Sequence, residues 1–237
     1  MAGAAVLGRL SWKACTVAGL RDETATARTI VLQVPEWPGH VAGQRVDVRV
    51  TAADGYSAVR EYSIASAPRA DGRIELSVER LPDGEVSPYL TQNLAIGDVV
   101  EVRGPIGGWF VWDGESPALL VGGGSGVVPF LAMLRHARTL GRTDLLRIAV
   151  SSRTLVELPY AMELMDAGAL IVLTREPYGD RAAARLMGDE LHALWAPEQT
   201  AYVCGSARFA EGAGRLLVDV GVPAADIRVE QFGPSAS

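Results

Sequence analysis

The hydrophobic pattern of this sequence changes period near residue 104. Before that point apolar residues alternate with polar ones, as in residues 26–34, in Val46, Val48 and Val50 around Asp47 and Arg49, and in Ile74, Leu76 and Val78. Period two places one face of a strand in a core and the other in water. Gly and Asp turn pairs (Pro38-Gly39, Asp54-Gly55, Asp71-Gly72, Asp83-Gly84) separate these runs, and another strand is expected over 98–103 after Gly97. Short strands at this spacing predict an antiparallel barrel, with one helix over 85–93.

From Ala118 onward, continuous apolar runs alternate with helical stretches. Strands are expected over 118–121, 146–150, 170–173, 201–204 and 227–229, and helices over 127–140, 158–165, 184–194 and 207–220. Strands with no polar face, separated by helices, predict a parallel sheet covered on both sides. The chain therefore reads as two domains, 1–104 and 105–237, with Gly104-Pro105-Ile106-Gly107-Gly108 as the hinge.

Composition narrows the function. The 237 residues carry 22 basic and 28 acidic side chains, a net charge of −6, with no basic run to neutralise phosphates, so no nucleic-acid partner is expected. Cys15 and Cys204 are too few for an iron–sulfur cluster, and His40, His136 and His192 show no zinc spacing. Arg9 and Lys13 interrupt the first twenty residues, and no stretch reaches the roughly 20 apolar residues of a spanning helix. A soluble cytoplasmic protein with no membrane partner and no metal is the expectation.

Two segments carry chemistry. Gly122-Gly123-Gly124-Ser125-Gly126 ends the first strand of the second half and opens its first helix. Glycines there let backbone amides approach a pyrophosphate at the positive end of the helix, while Pro129 fits the first helical turn. No Lys-Ser or Lys-Thr pair follows, which disfavours nucleotide hydrolysis. The second segment is Arg60-Glu61-Tyr62-Ser63, which on a strand offers a cation and an aromatic ring on one face and a hydroxyl on the other.

Arg-x-Tyr-Ser in a barrel, then Gly84-Glu85-Val86-Ser87 at a helix start, Gly-Pro-x-Gly and a glycine-rich α/β half resembles the ferredoxin–NADP reductase superfamily. Within it the chain looks most like the reductase modules of bacterial oxygenase systems, without their iron–sulfur domain. Ala42-Gly43-Gln44, Ser152-Arg153-Thr154, Leu173-Thr174-Arg175, Val203-Cys204-Gly205 and Glu230-Gln231-Phe232-Gly233-Pro234 follow in the matching order.

The resemblance implies a Greek-key β-barrel that binds FAD, followed by a doubly wound NAD(P) domain. It places Arg60, Tyr62, Ser63, Ile64, Val78, Arg80, Gly84, Val86, Ser87 and Phe232 at FAD, with Ser63 bonded to flavin N5. Gly123, Gly124, Ser125, Gly126, Ser152, Arg153, Arg175, Cys204 and Gly205 fall at NAD(P), and Ser63, Tyr62, Cys204 and Glu230 at the reacting rings. A phosphate segment at Gly84 favours FAD over FMN. Cys204 reads equally well as a small apolar residue. Arg153 and Arg175, with no carboxylate before Glu157, favour NADPH over NADH, although all 22 basic residues except Lys13 are Arg. The implied reaction is hydride transfer from NADPH, or NADH, to FAD and single-electron delivery to a ferredoxin or an iron–sulfur oxygenase component. A free-flavin reductase shares Arg-x-Tyr-Ser, although the Gly84–Ser87 segment argues against it, and a non-catalytic nucleotide-sensing subunit uses the same fold. Trp109 and Trp112 are expected either as exposed contacts or, with the greater preference for burial, as packing between the halves.

Overall fold

The computed structural model describes residues 10–51 and 55–233. The first nine residues, Asp54 of one expected turn, and Pro234 with the tail beyond it lie outside the described residues. Six antiparallel strands form the first sheet: β1 (Lys13–Asp22), β2 (Ala27–Gln33), β3 (Arg45–Thr51), β4 (Ser57–Ser63), β5 (Arg73–Glu79) and β6 (Val99–Ile106), in the order β4-β3-β6-β1-β2-β5. Ile64 bridges to Leu76, and the Ala65 N–H donates to the Glu75 carbonyl at 2.7 Å, so the end of β4 meets β5 and closes the barrel. Inward residues, among them Val46, Val48, Ile74, Leu76 and Val102, fill its core. β6 runs through Gly104 to Ile106, so the segment expected as a hinge begins as the last strand of the barrel.

Five parallel strands form the second sheet: β7 (Ala118–Gly123), β8 (Leu146–Ser152), β9 (Leu170–Leu173), β10 (Thr200–Ser206) and β11 (Ile227–Phe232), in the order β11-β10-β7-β8-β9. Leu120 of β7 packs beneath α1 (Val128–Leu140) and α2 (Ala161–Asp166), whereas its neighbours Leu119 and Val121 pack beneath α3 (Gly188–Leu194) and α4 (Ala207–Asp219). Both faces are thus covered, as the unbroken apolar runs require. Strand order reverses at β7, and in such sheets the crevice beyond the strand ends at the reversal is where ligands bind.

Three expected helices start later than periodicity indicates. The run at 158–165 becomes helical at Ala161, after Pro159 and a left-handed Tyr160 (φ 58°). The run at 184–194 waits until Gly188, because Arg181 ties down the carbonyls of Ala182, Ala184 and Arg185 ahead of it. The stretch at 85–93 is helical only in its latter part, with a wide turn over Tyr89–Asn93. Among the described residues no helix is long and apolar enough to cross a membrane.

Candidate functional site

On the rim of the barrel, β4 pairs with β3 so that Tyr62 lies beside Val46 and Arg60 beside Val48 on the inward face, while Ser63 lies beside Arg45 and Glu61 beside Asp47 on the outward face. The Tyr62 ring packs against the barrel core, and burial pushes its phenol well above the usual tyrosine range against the pull of Arg60. Arg60 is exposed. Its guanidinium bonds the Val59 carbonyl at 2.8 Å and sits 3.6 Å from Glu85, a carboxylate that also accepts from the Tyr56 hydroxyl. Residues 81–87 form a closed turn: the Gly84 N–H donates to the Leu81 carbonyl at 2.9 Å, and the Ser87 hydroxyl oxygen accepts from the Leu81 N–H at 3.0 Å. Arg80 leads into this turn, half-buried. The side chains of Ile64, Val78 and Val86 are buried, so what they present to a ligand is backbone.

At the reversal of the parallel sheet, β7 passes through a short helical turn, Gly124–Val127, into α1. Gly124 sits in the left-handed region (φ 56°) with open space around its missing side chain. Gly126 is the opposite case: a Cβ there would lie 2.1 Å from the Cys204 carbonyl oxygen, so only glycine lets the turn press against β10. A Cβ at Gly123 or Gly205 would meet the Phe209 ring within 2.7 Å. The backbone amides around Gly124 and Ser125 therefore open a helix at the crevice of the sheet, a geometry that favours anionic groups.

The ends of β8 and β9 are stitched together, with the Thr174 N–H donating to the Ser152 carbonyl at 3.0 Å and the Arg175 N–H to the Arg153 carbonyl at 2.9 Å. Ser152 is buried, and Arg153 and Arg175 are exposed. Glu157, one turn further on, lies 3.5 Å from Arg153. The first carboxylate after the strand is thus beside the arginine expected to read a phosphate.

The two sheets meet between these regions. Glu230 on β11 accepts from Arg45 Nη1 on β3 at 3.3 Å, and Arg45 Nε is 3.1 Å from Glu61 on β4. Burial raises the Glu230 carboxyl above its usual value, Arg45 opposes that, and Glu61 adds to it. Cys204 pairs with Glu230 across β10 and β11 and is fully buried, and burial followed by the Glu230 charge pushes its thiol well up. Phe232, at the end of β11, is partly exposed. Trp112 packs between the halves: it is buried, its backbone N–H donates to the Ala42 carbonyl at 3.0 Å, and its indole N–H donates to the Ser116 carbonyl at 2.7 Å. Trp109 is 64% exposed, with the Arg228 guanidinium 5.4 Å from its ring centre. Arg45 and Glu85 were not singled out from sequence, because their partners come from distant segments and no local pattern marks them.

Residues 18–111 match the family model described as the oxidoreductase FAD-binding domain. Over 225 residues the chain is 30% identical to the ferredoxin reductase component of 3-ketosteroid-9-alpha-monooxygenase from Rhodococcus rhodochrous, covering 92% of this chain and 64% of that protein. It is 31% identical over 212 residues to a flavohemoprotein of Pseudomonas aeruginosa, covering 84% and 52%. The chain thus spans less than two thirds of the length of these curated relatives. The solved flavohem-like FAD/NAD binding domain of a nitric oxide dioxygenase from Vibrio cholerae O1 biovar El Tor superposes with a TM-score of 0.80 at 26% identity, covering 94% of this chain and 99% of that one. Phthalate dioxygenase reductase shares the fold, with a TM-score of 0.77 at 21% identity over 95% of this chain and 70% of that one. The chain thus carries an oxidoreductase FAD-binding domain pattern over residues 18–111 and has the two-domain fold of ferredoxin–NADP reductase-like proteins, a closed antiparallel barrel joined to a parallel sheet with a glycine turn at its reversal.

Proposed function

We propose that the chain is a flavoprotein reductase that holds FAD on the barrel rim, takes hydride from NADPH or NADH at the glycine turn, and passes single electrons to a separate iron–sulfur protein. The partner class is a ferredoxin or the cluster-bearing component of an oxygenase. The observation that carries this reading is the meeting of the two regions: Ser63 lies beside Arg45, and Arg45 is 3.3 Å from Glu230, next to Cys204 and the glycine turn. The working division is 1–104 for FAD and 105–237 for the nicotinamide coenzyme, with β6 completing the barrel at its boundary.

The side chains present fit both groups. The Arg60 fork, aided by Arg80, suits a pyrophosphate, and the amides of Gly84, Val86 and Ser87 take a share of its charge. Glu85 stands 3.6 Å from Arg60 and competes with a diphosphate for it. Tyr62 offers a ring to lie along the flavin, the Ser63 hydroxyl a donor to N5, and Phe232 a cover for the ring system. Bound FAD supplies the conversion of two-electron hydride uptake into one-electron release. The protein holds the two ring systems at contact distance and shields the path between them from water. Gly123, Gly124, Ser125 and Gly126 receive the coenzyme diphosphate, Ser152 and Gly205 line its path, and Arg153 with Arg175 faces a 2′-phosphate, with Glu157 competing for Arg153.

An anaerobic visible titration of the purified protein tests this. The expected result is a flavin spectrum bleached at lower NADPH than NADH, with Arg153→Ala weakening NADPH more than NADH. A protein that neither contains nor takes up FAD would overturn the reductase reading, and equal losses of both coenzymes would remove Arg153 from the 2′-phosphate.

A further inference from the structure

Arg45 stands where three segments converge. Its Nε lies 3.1 Å from Glu61 on β4, close enough for an ion pair but without a hydrogen bond, its Nη1 donates to Glu230 Oε1 on β11 at 3.3 Å, and its third side is closed by the turn at Gly107. Gly107 has φ 100°, a backbone that favours glycine, and a Cβ there would lie 3.3 Å from Nη1, so the glycine that ends Gly-Pro-x-Gly shapes a turn set close against the guanidinium. Gln44 secures the same turn: its amide donates to the Gly107 carbonyl at 2.7 Å, and its oxygen accepts from the Val41 N–H at 2.8 Å. Two motifs far apart in sequence thus build the seat of one arginine. The second oxygen of Glu230, Oε2, is buried and has no hydrogen-bond donor among the described residues.

We infer that Arg45 is a positioning residue: by gripping one oxygen of Glu230 it fixes the rotation and the negative charge of that carboxylate, leaving the other oxygen to accept an N–H from the carboxamide of a nicotinamide coenzyme. This rests on the reductase reading above. The groups facing the carboxyl are Arg45 from β3, Glu61 from β4 and the Cys204 thiol from β10. Burial favours the protonated acid, Arg45 favours the carboxylate, and Glu61 opposes Arg45. The guanidinium is well suited to the task, because its donors are fixed in one plane. Removing Arg45 therefore makes Glu230 harder to ionise, and removing Glu61 makes it easier.

The test uses the FAD-loaded full chain labelled with 13C-glutamate, the Glu230 carboxyl resonance being assigned by its loss in Glu230→Gln. Its titration is followed alongside the affinity for NADP+, read from the flavin difference spectrum across the same pH range. Arg45→Gln is expected to raise the Glu230 midpoint by about one pH unit, a tenfold gain in proton affinity, and to move the acid limb of NADP+ binding in the same direction. Arg45→Lys restores most of both. Glu61→Gln, the variant to use if Arg45→Gln does not fold, is expected to lower the midpoint. A midpoint and a binding profile that superimpose on wild type in the folded variants overturn the inference, as does Arg45→Lys behaving like Arg45→Gln. A wild-type chain that takes up no FAD is recognised before any nucleotide is added; it overturns the reductase reading and this inference with it, whereas an FAD-loaded chain with an unmoved midpoint overturns the role of Arg45 alone.

Discussion

His40 is buried between two fixed partners. Trp37 Nε1–H donates to its Nδ1 at 3.3 Å, and its Nε2 lies 3.1 Å from the Ser66 carbonyl. A neutral ring with its proton on Nε2 satisfies both, and a second proton would turn Nδ1 into a donor facing another donor. Burial accordingly lowers its pKa, the Ser66 carbonyl works against that, and the His136 charge reinforces it. An unfolded imidazole titrates near 6.5, so just below that pH the unfolded chain binds a proton that the folded one refuses. Stability is therefore present above this window and falls as pH drops through it. The thermal midpoint of the wild type should decline between pH 7 and pH 5, and that of His40→Gln should decline less; parallel curves would place the acid sensitivity elsewhere.

The turn joining β7 to α1 does two jobs with neighbouring glycines. Gly124 supplies a left-handed turn with nothing above it, and Gly126 brings the helix start against the β10 backbone. Gly126→Ala should cost about 1–3 kcal/mol, because a methyl group cannot share space with the Cys204 carbonyl and the backbone must move apart. Urea unfolding measures the loss, and a variant as stable as wild type would mean the close approach is not rigid. This turn was readable from sequence because glycine spacing encodes backbone shape directly. So was β9 at 170–173, buried and purely apolar. β1 escaped notice, since its inward residues Cys15 and Val17 are followed by a break in register between Val17 and Gly19 that spoils the alternation. Arg45 and Glu85 were illegible for another reason: the partner of Arg45 is 185 positions away, and proximity of that kind exists only after both sheets have folded.

The two sheets are joined by a polar seam as well as by apolar packing. The Tyr160 hydroxyl lies 2.5 Å from the Thr29 hydroxyl on β2, and Arg135 on α1 reaches the Ala65 carbonyl and Glu75 of the barrel while bonding Glu163 of α2. Tyr160 holds a left-handed backbone to do so, a conformation that costs a non-glycine residue about 1–2 kcal/mol and persists because the ring packs in the core of the second half while the hydroxyl bonds Thr29 of the barrel. Tyr160→Phe should lower stability by about 1 kcal/mol through loss of the bond to Thr29, whose hydroxyl still donates to Glu23, with both halves still unfolding in one transition. Circular dichroism and tryptophan fluorescence followed together check this; separate transitions would show that this single bond couples the halves. A different consequence attaches to β4. Only its end meets β5; from Ser57 to Ser63 the pairing among the described residues is with β3, and such a half-open edge invites a strand from another molecule. Charged Arg60 and Glu61 in the middle of β4 guard against that, so the side chains placed at the ligand also keep copies of the chain apart, and neutralising both would expose the protein to edge-to-edge aggregation before any loss of chemistry was noticed.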